Sequence, residues 1–231
     1  MTNLLENEKR IAGIKAVNFV KSGMVLGLGT GSTVRYFLEA LAEKVNGGMD
    51  IIGVPTSKKT EQLAISLGIK TSNSTDHVDL TIDGADEIDH SGRMIKGGGG
   101  ALFKERIVAS HSNEIVIVCD HSKYVETLGK FPVPVEISPF MELLTIKMIG
   151  KLCPNVTLRN NGEFLTDQGN HIVDCNFDNI ENPEETYQIL RSVPGVVDVG
   201  IFLHMKPTLI LGEKGYAREI KLGENVTSER T

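Results

Sequence analysis

The chain has 231 residues, 40% of them apolar and 23% charged, with 24 glycines and no tryptophan. That is a globular composition, long enough for one α/β domain or for such a domain carrying a small insertion. Thirty acidic against 24 basic side chains give a formal charge of -6, which excludes a global basic footprint for nucleic acid or anionic lipid and leaves an anionic ligand to a local positive pocket.

The first predicted element is a helix from Glu6 to Val20, where Ile11, Ile14, Ala16, Val17 and Val20 recur at helical spacing before Ser22-Gly23. Met24 to Leu28 reads as a buried strand, followed by a Gly/Ser/Thr turn and a helix from Val34 to Val45. The pattern repeats with a strand at Asp50 to Val54, a helix at Ser57 to Leu67 and a strand at Val78 to Ile82. Glycines 97 to 100 precede a helix from Ala101 to Ser110, and Glu114 to Cys119 is a fully apolar strand. This alternation predicts a Rossmann-like, mostly parallel sheet with helices on both faces. The loops at 29–33, 83–89 and 120–123 then share one rim, beyond the carboxyl ends of the strands, where such sheets bind ligands.

At Phe131 the texture changes, and PVPVEISP reads as a proline-bearing edge strand. Strands at 133–138, 155–160, 171–177 and 196–204 alternate with helices at 140–150 and 183–192, and an Asn161-Gly162 turn joins the middle strands. Asn182 as cap, Pro183 behind it and two glutamates in the first turn mark the start of the second helix. The βαββαβ order predicts a smaller, ferredoxin-like α+β domain. Lys206 to Leu211 returns to the first sheet. The expected organisation is therefore 1–131 with 206–231 as one domain and 132–205 as its insertion, with residues 224–231 frayed.

Cys119, Cys153 and Cys175 are widely spaced and form no CxxC, as expected of buried, reduced thiols. The start resembles no signal peptide and no apolar run approaches bilayer length, so a cytoplasmic protein is expected.

Three segments can carry chemistry. GLGTGSTV, residues 27–34, ends a strand and opens a helix, and its backbone N–H groups with the hydroxyls of Thr30, Ser32 and Thr33 suit a compact anion. It lacks the Gly-Lys-Ser/Thr ending of a P-loop, and Ser32 replaces the third glycine of a dinucleotide loop. A phosphate ester fits it better than a nucleotide, although a purely geometric turn would look similar. DLTIDGADEID, residues 79–89, delivers Asp83, Asp86, Glu87 and Asp89 to the same rim, as functional acids, a metal site or a solvated turn. In MIKGGGGALFKERIVA, residues 94–109, Glu105 has Ala101, Leu102, Val108 and Ala109 as its helical neighbours, so it reads either as a desolvated carboxylate whose pKa is raised toward that of a proton carrier near neutrality or as a surface glutamate paired to Lys or Arg. Lys96 and Lys123 follow strands and can add positive charge there.

Together GTGSTV (29–34), DGADEID (83–89), KGGGGALFKERI (96–107) and GKFPVPVEISP (129–139) strongly resemble ribose-5-phosphate isomerase of the A type, in the right order over nearly the whole chain. The resemblance implies reversible conversion of ribose 5-phosphate and ribulose 5-phosphate, in the non-oxidative pentose phosphate pathway, without metal or organic cofactor. It implies that Thr30, Gly31, Ser32 and Thr33 hold substrate, with the phosphate on the Ser/Thr turn, and that Asp83, Gly84, Ala85 and Asp86 with Lys96, Gly97, Gly98 and Gly99 line the sugar. Glu105 would accept the proton, Lys96 would face the oxyanion, and Asp83 or Asp86 would assist ring opening. Lys123 would bind substrate and Lys9 reach the phosphate. The family usually forms homodimers or tetramers, and neither nucleic acid nor membrane is an expected partner. Two alternatives share the architecture: a sugar-phosphate-sensing domain, for which the roughly two dozen residues before the first strand leave no DNA-binding module, and an amino-sugar phosphate deaminase.

Overall fold

The computed structural model describes residues 2–223, so the tail expected to fray, 224–231, lies outside the described residues. The first half runs α1 (Thr2–Ala16), β1 (Val25–Leu28), α2 (Ser32–Asn46), β2 (Ile52–Pro55), α3 (Lys58–Ser66), β3 (Val78–Asp83), β4 (Glu87–Asp89), β5 (Met94–Ile95), α4 (Leu102–Ser110), β6 (Ser112–Asp120) and β7 (Tyr124–Val125). The second runs β8 (Val133–Ile137), α5 (Glu142–Ile149), β9 (Asn155–Leu158), β10 (His171–Asn176), α6 (Pro183–Arg191), β11 (Val196–Val199), β12 (Ile201–Phe202), β13 (Thr208–Glu213) and β14 (Tyr216–Lys221).

The six-stranded main sheet has the order β14-β13-β6-β3-β1-β2, parallel except for β14. Its inner strands β13, β6, β3 and β1 are mainly apolar on both faces because both faces are covered. Along β6, Val116 and Val118 join Phe37, Leu38 and Leu41 of α2 in one core, while Ile117 and Cys119 join Leu102 of α4 in another. Alternate side chains of one strand thus bind two helical layers, which fixes the register, since a slip of one residue would exchange the two sets.

The second sheet has the order β11-β8-β10-β9, all antiparallel, as a ferredoxin-like βαββαβ unit requires. Asn182 caps α6 by accepting the Glu185 N–H at 3.3 Å, with Pro183 behind it, as the sequence predicted. Among the described residues no helix is long and apolar enough to cross a membrane, and all three cysteines are free and buried.

Two strand expectations need correction. β8 is a central strand, paired with β10 on one side and β11 on the other. Pro134 is tolerated there because its carbonyl accepts the Gly200 N–H at 2.7 Å, while the Gly200 carbonyl, for which Pro134 has no N–H, accepts the Lys96 N–H at 2.9 Å. The same contacts break the expected 196–204 strand at Gly200: β11 stays in the second sheet, and β12 joins a third one, of order β12-β5-β4-β7. Neither that sheet nor β14 was expected. The residues after β9 do not form a tight hairpin at Asn161-Gly162; they turn through Arg159–Gly162, where Asn160 and Asn161 both take left-handed backbone angles, and make a longer return to β10.

Candidate active site

The turns after β1, β3 and β6 meet the loop after β5 on the carboxyl-end rim, around a cavity of about 570 Å³. All of residues 30–33, 84–86 and 96–99 border it, as do Glu105, Lys123 and Lys9. Asp83 does not. It is buried beneath the floor at 1% exposure, where its Oδ1 accepts the N–H groups of Thr30 at 3.0 Å and Gly84 at 2.7 Å. Gly29 makes this approach possible, since a Cβ there would lie 2.0 Å from the Asp83 carboxylate.

One end of the cavity is the start of α2. No side chain caps that helix, and the N–H groups of Gly31, Ser32 and Thr33 have no acceptor among the described residues. An uncapped helix start is a partial positive charge with its donors still available. The Thr30 hydroxyl, expected to donate to a ligand, is already engaged: it lies 2.8 Å from the Thr56 hydroxyl, 2.9 Å from that of Ser57 and 3.2 Å from that of Thr60. Thr56 and Thr60 in turn donate to the carbonyls of Leu28 and Gly29. This hydroxyl knot braces the turn from below. Five cations border the cavity, namely Lys9, Arg35, Lys59, Lys96 and Lys123, so an acidic chain carries a basic recess. Sequence reasoning missed Arg35 and Lys59. Their signal was their place in the first turns of two helices that open on the rim.

At the other end lies a buried charge cluster. The Lys96 ammonium donates to the Gly84 carbonyl and stands 2.9 Å from Asp83 Oδ2 and 3.5 Å from Glu105 Oε2. Burial works against its charge, but Asp83 and Glu105 outweigh it and hold its pKa above the ordinary value. Glu105 is 2% exposed, and its helical neighbours Leu102, Val108 and Ala109 are buried with it. Its Oε2 has no hydrogen-bond partner among the described residues. Burial raises its pKa to about 8; Lys96 opposes the rise, and the charges of Asp83 and Asp86 add to it. Asp86 is also raised by burial, against the pull of the Gly98 N–H, which it accepts at 2.7 Å, and of Lys96.

A Rossmann-like sheet with a basic recess on its ligand rim, and a buried carboxylate inside that recess, defines a small-molecule enzyme. The family profile for ribose 5-phosphate isomerase A (phosphoriboisomerase A) matches residues 52–215. A ribose-5-phosphate isomerase A of Picrophilus torridus is 47% identical over 209 residues, covering 90% of this chain and 95% of its own. The crystal structure of ribose 5 phosphate isomerase A from Neisseria gonorrhoeae superposes with a TM-score of 0.88 at 39% identity, over 94% of this chain and 97% of that one. A D-ribose-5-phosphate isomerase solved in complex with phospho-erythronic acid gives 0.89 at 35% identity, over 94% and 99%. The chain belongs to the ribose 5-phosphate isomerase A family and is an isomerase.

Proposed function

We propose that the chain interconverts D-ribose 5-phosphate and D-ribulose 5-phosphate through an enediolate, with Glu105 as the proton carrier. The observation that carries this reading is a carboxylate with its pKa raised to about 8 in the same cavity as an uncapped helix start. The cradle at Gly31, Ser32 and Thr33 takes the phosphate, with Lys9 and the other rim cations adding charge. A five-carbon chain then extends past Asp86 and the glycine loop toward Glu105. Lys123 faces the substrate from the third rim loop.

Glu105 lifts the proton from carbon 2 of the open-chain aldose and returns it to carbon 1. Charge develops on the carbonyl oxygen as the proton leaves, and Lys96 answers it. The two events are coupled. While Glu105 is ionised it attracts the ammonium; once protonated, it releases Lys96 to the new oxyanion. Asp86 faces the cavity and Asp83 does not, so ring opening falls to Asp86, while Asp83 orients Lys96 and the two rim loops. The hydroxyl knot makes Thr30 a brace for the cradle.

The same reading takes 132–205 as a domain inserted between 1–131 and 206–231, and places the protein in the cytoplasm. It assembles as a homodimer or homotetramer. Phe140, Met141, Leu143, Leu144 and Met148 at α5 are all more than 40% exposed, and an apolar face of that kind suits a contact between copies.

The test is purified protein with ribose 5-phosphate, with and without chelator, beside Glu105→Gln. Turnover is expected to survive chelation and to collapse in the variant. Full activity of the variant would remove Glu105 from the role, and binding without turnover in the parent would favour the sensing-domain alternative. The phosphorylated four-carbon acid bound by the relative should compete with substrate here.

A further inference from the structure

The loop Gly97–Gly100 is gripped from outside the main sheet. Arg159, just after β9 of the second sheet, is 13% exposed at its side chain and does not border the cavity. Its Nη1 donates to the carbonyls of Gly97 at 3.1 Å and Gly98 at 3.2 Å. Its other edge is held by Asp174 of β10, with Nε 2.9 Å from Oδ2 and Nη2 donating to Oδ1. That fork-to-fork pairing aims the guanidinium in a way that a lysine could not. Phe164 closes the same corner: its ring centre lies 5.5 Å from the guanidinium carbon, and its edge fills the space that a side chain at Gly100 would take, 2.2 Å from a Cβ placed there.

The loop peptides are therefore strung between two acceptor and donor sets. In a trans peptide the N–H points opposite to the carbonyl. The Gly97 carbonyl faces Arg159, and the Gly98 N–H, on the opposite side of that peptide, meets Asp86 at 2.7 Å. The next peptide repeats the geometry. With the Gly98 carbonyl on Arg159, the Gly99 N–H is turned away from it; that N–H has no acceptor among the described residues, and Gly99 borders the cavity. A cation on the carbonyl also polarises the peptide and strengthens its N–H as a donor.

We propose that Arg159 is a positioning residue of the isomerase: by holding the Gly98 carbonyl it offers the Gly99 N–H to an oxygen at the sugar end of the substrate. This inference rests on the isomerase reading above. It makes the second sheet a working wall of the site, acting through the loop without touching substrate.

The experiment compares Arg159→Ala, Arg159→Lys and Asp174→Asn with the parent, using two competitive inhibitors of ribose 5-phosphate turnover. Inorganic phosphate reads the cradle alone, and the phosphorylated four-carbon aldonic acid reads cradle and sugar end together. Inhibition constants do not depend on the fraction of folded enzyme, so they separate positioning from general loosening. In Arg159→Ala the constant for phosphate should stay within about twofold of the parent, while that for the aldonate rises roughly tenfold and kcat falls roughly ten- to hundredfold. Arg159→Lys should remain impaired, because one ammonium cannot hold Asp174 and two carbonyls together. Asp174→Asn keeps the arginine but spoils its aim, and should show the same split at about threefold, a readout that stands even if Arg159→Ala does not fold. Unchanged constants for both inhibitors in an active enzyme, or an equal rise in both, would overturn the inference and leave the isomerase reading intact. A parent without turnover of ribose 5-phosphate would overturn the two together.

Discussion

The two ends of the cavity are built by opposite means. At the cradle the donors are backbone N–H groups of one helix start, fixed by the hydroxyl knot of Thr30, Thr56, Ser57 and Thr60. At the other end lie side-chain charges in a buried recess, where Lys96, Asp83 and Glu105 are each no more than 3% exposed. Backbone dipoles cannot titrate, so the first end keeps the same charge over a wide pH range. Buried side chains have energies that depend on each other's protonation, and so the second end can do chemistry.

The largest effect is expected where that difference is sharpest. Glu105→Gln should lower kcat by roughly a factor of a thousand, in the range of a lost general base, with KM changed little. An equal loss in kcat and in substrate binding would instead place Glu105 in the cradle's kind of role. Thr30→Val should do the reverse, raising KM roughly tenfold with kcat within about threefold, because it loosens the cradle and leaves the charge cluster intact. Steady-state kinetics of the two variants side by side would test the division.

The pH dependence belongs to one end only. In the role proposed for it Glu105 acts as a base when ionised, and its pKa is raised to about 8, so kcat/KM should rise through neutrality and level off above that value. Lys96→Met removes the charge that opposes the shift, and its residual activity should inflect at higher pH still. The phosphate constant should follow the ionisation of phosphate itself, with the same pH profile in both proteins.

The smallest effect is thermodynamic. The folded pKa of Glu105 is raised from 4.5 to about 8. In that window the folded chain holds a proton that the unfolded chain has released, and stability falls as pH rises through it. Glu105→Gln removes this penalty. Its Tm should match the parent's near about pH 4.5 and exceed it by a few degrees near about pH 8, as read by calorimetry.

Most of the main sheet was legible because its strands are short apolar runs between amphipathic helices, from Val25–Leu28 to Ser112–Asp120. Where the local pattern misled, a distant partner had decided. Pro134 looked like an edge residue until Gly200 and Lys96 supplied its neighbours' hydrogen bonds. β14, with the sequence YAREIK, is too polar to stand out; it is an edge strand, made possible by the Lys214-Gly215 turn, in which both residues have positive φ. The rim loops could be found because glycine and acidic clusters are rare and costly enough to need a reason. Arg35 and Lys59 were harder to single out, since their only signal was a place in the first turn of a helix that opens on the rim, and Arg159 gave none, since it reaches the glycine loop only through the packing of the second sheet.

The bond between the Gly200 carbonyl and the Lys96 N–H ties a strand junction of the smaller sheet to the backbone that carries the cluster's only ammonium. A minimal enzyme trimmed to the six-stranded half would lose more than a wall: the lysine would keep the pairing of β5 with β4 on one side but lose its tether at Gly200 on the other. Grafting this chemistry onto another scaffold therefore means transplanting both halves, joined where a proline leaves one carbonyl unclaimed.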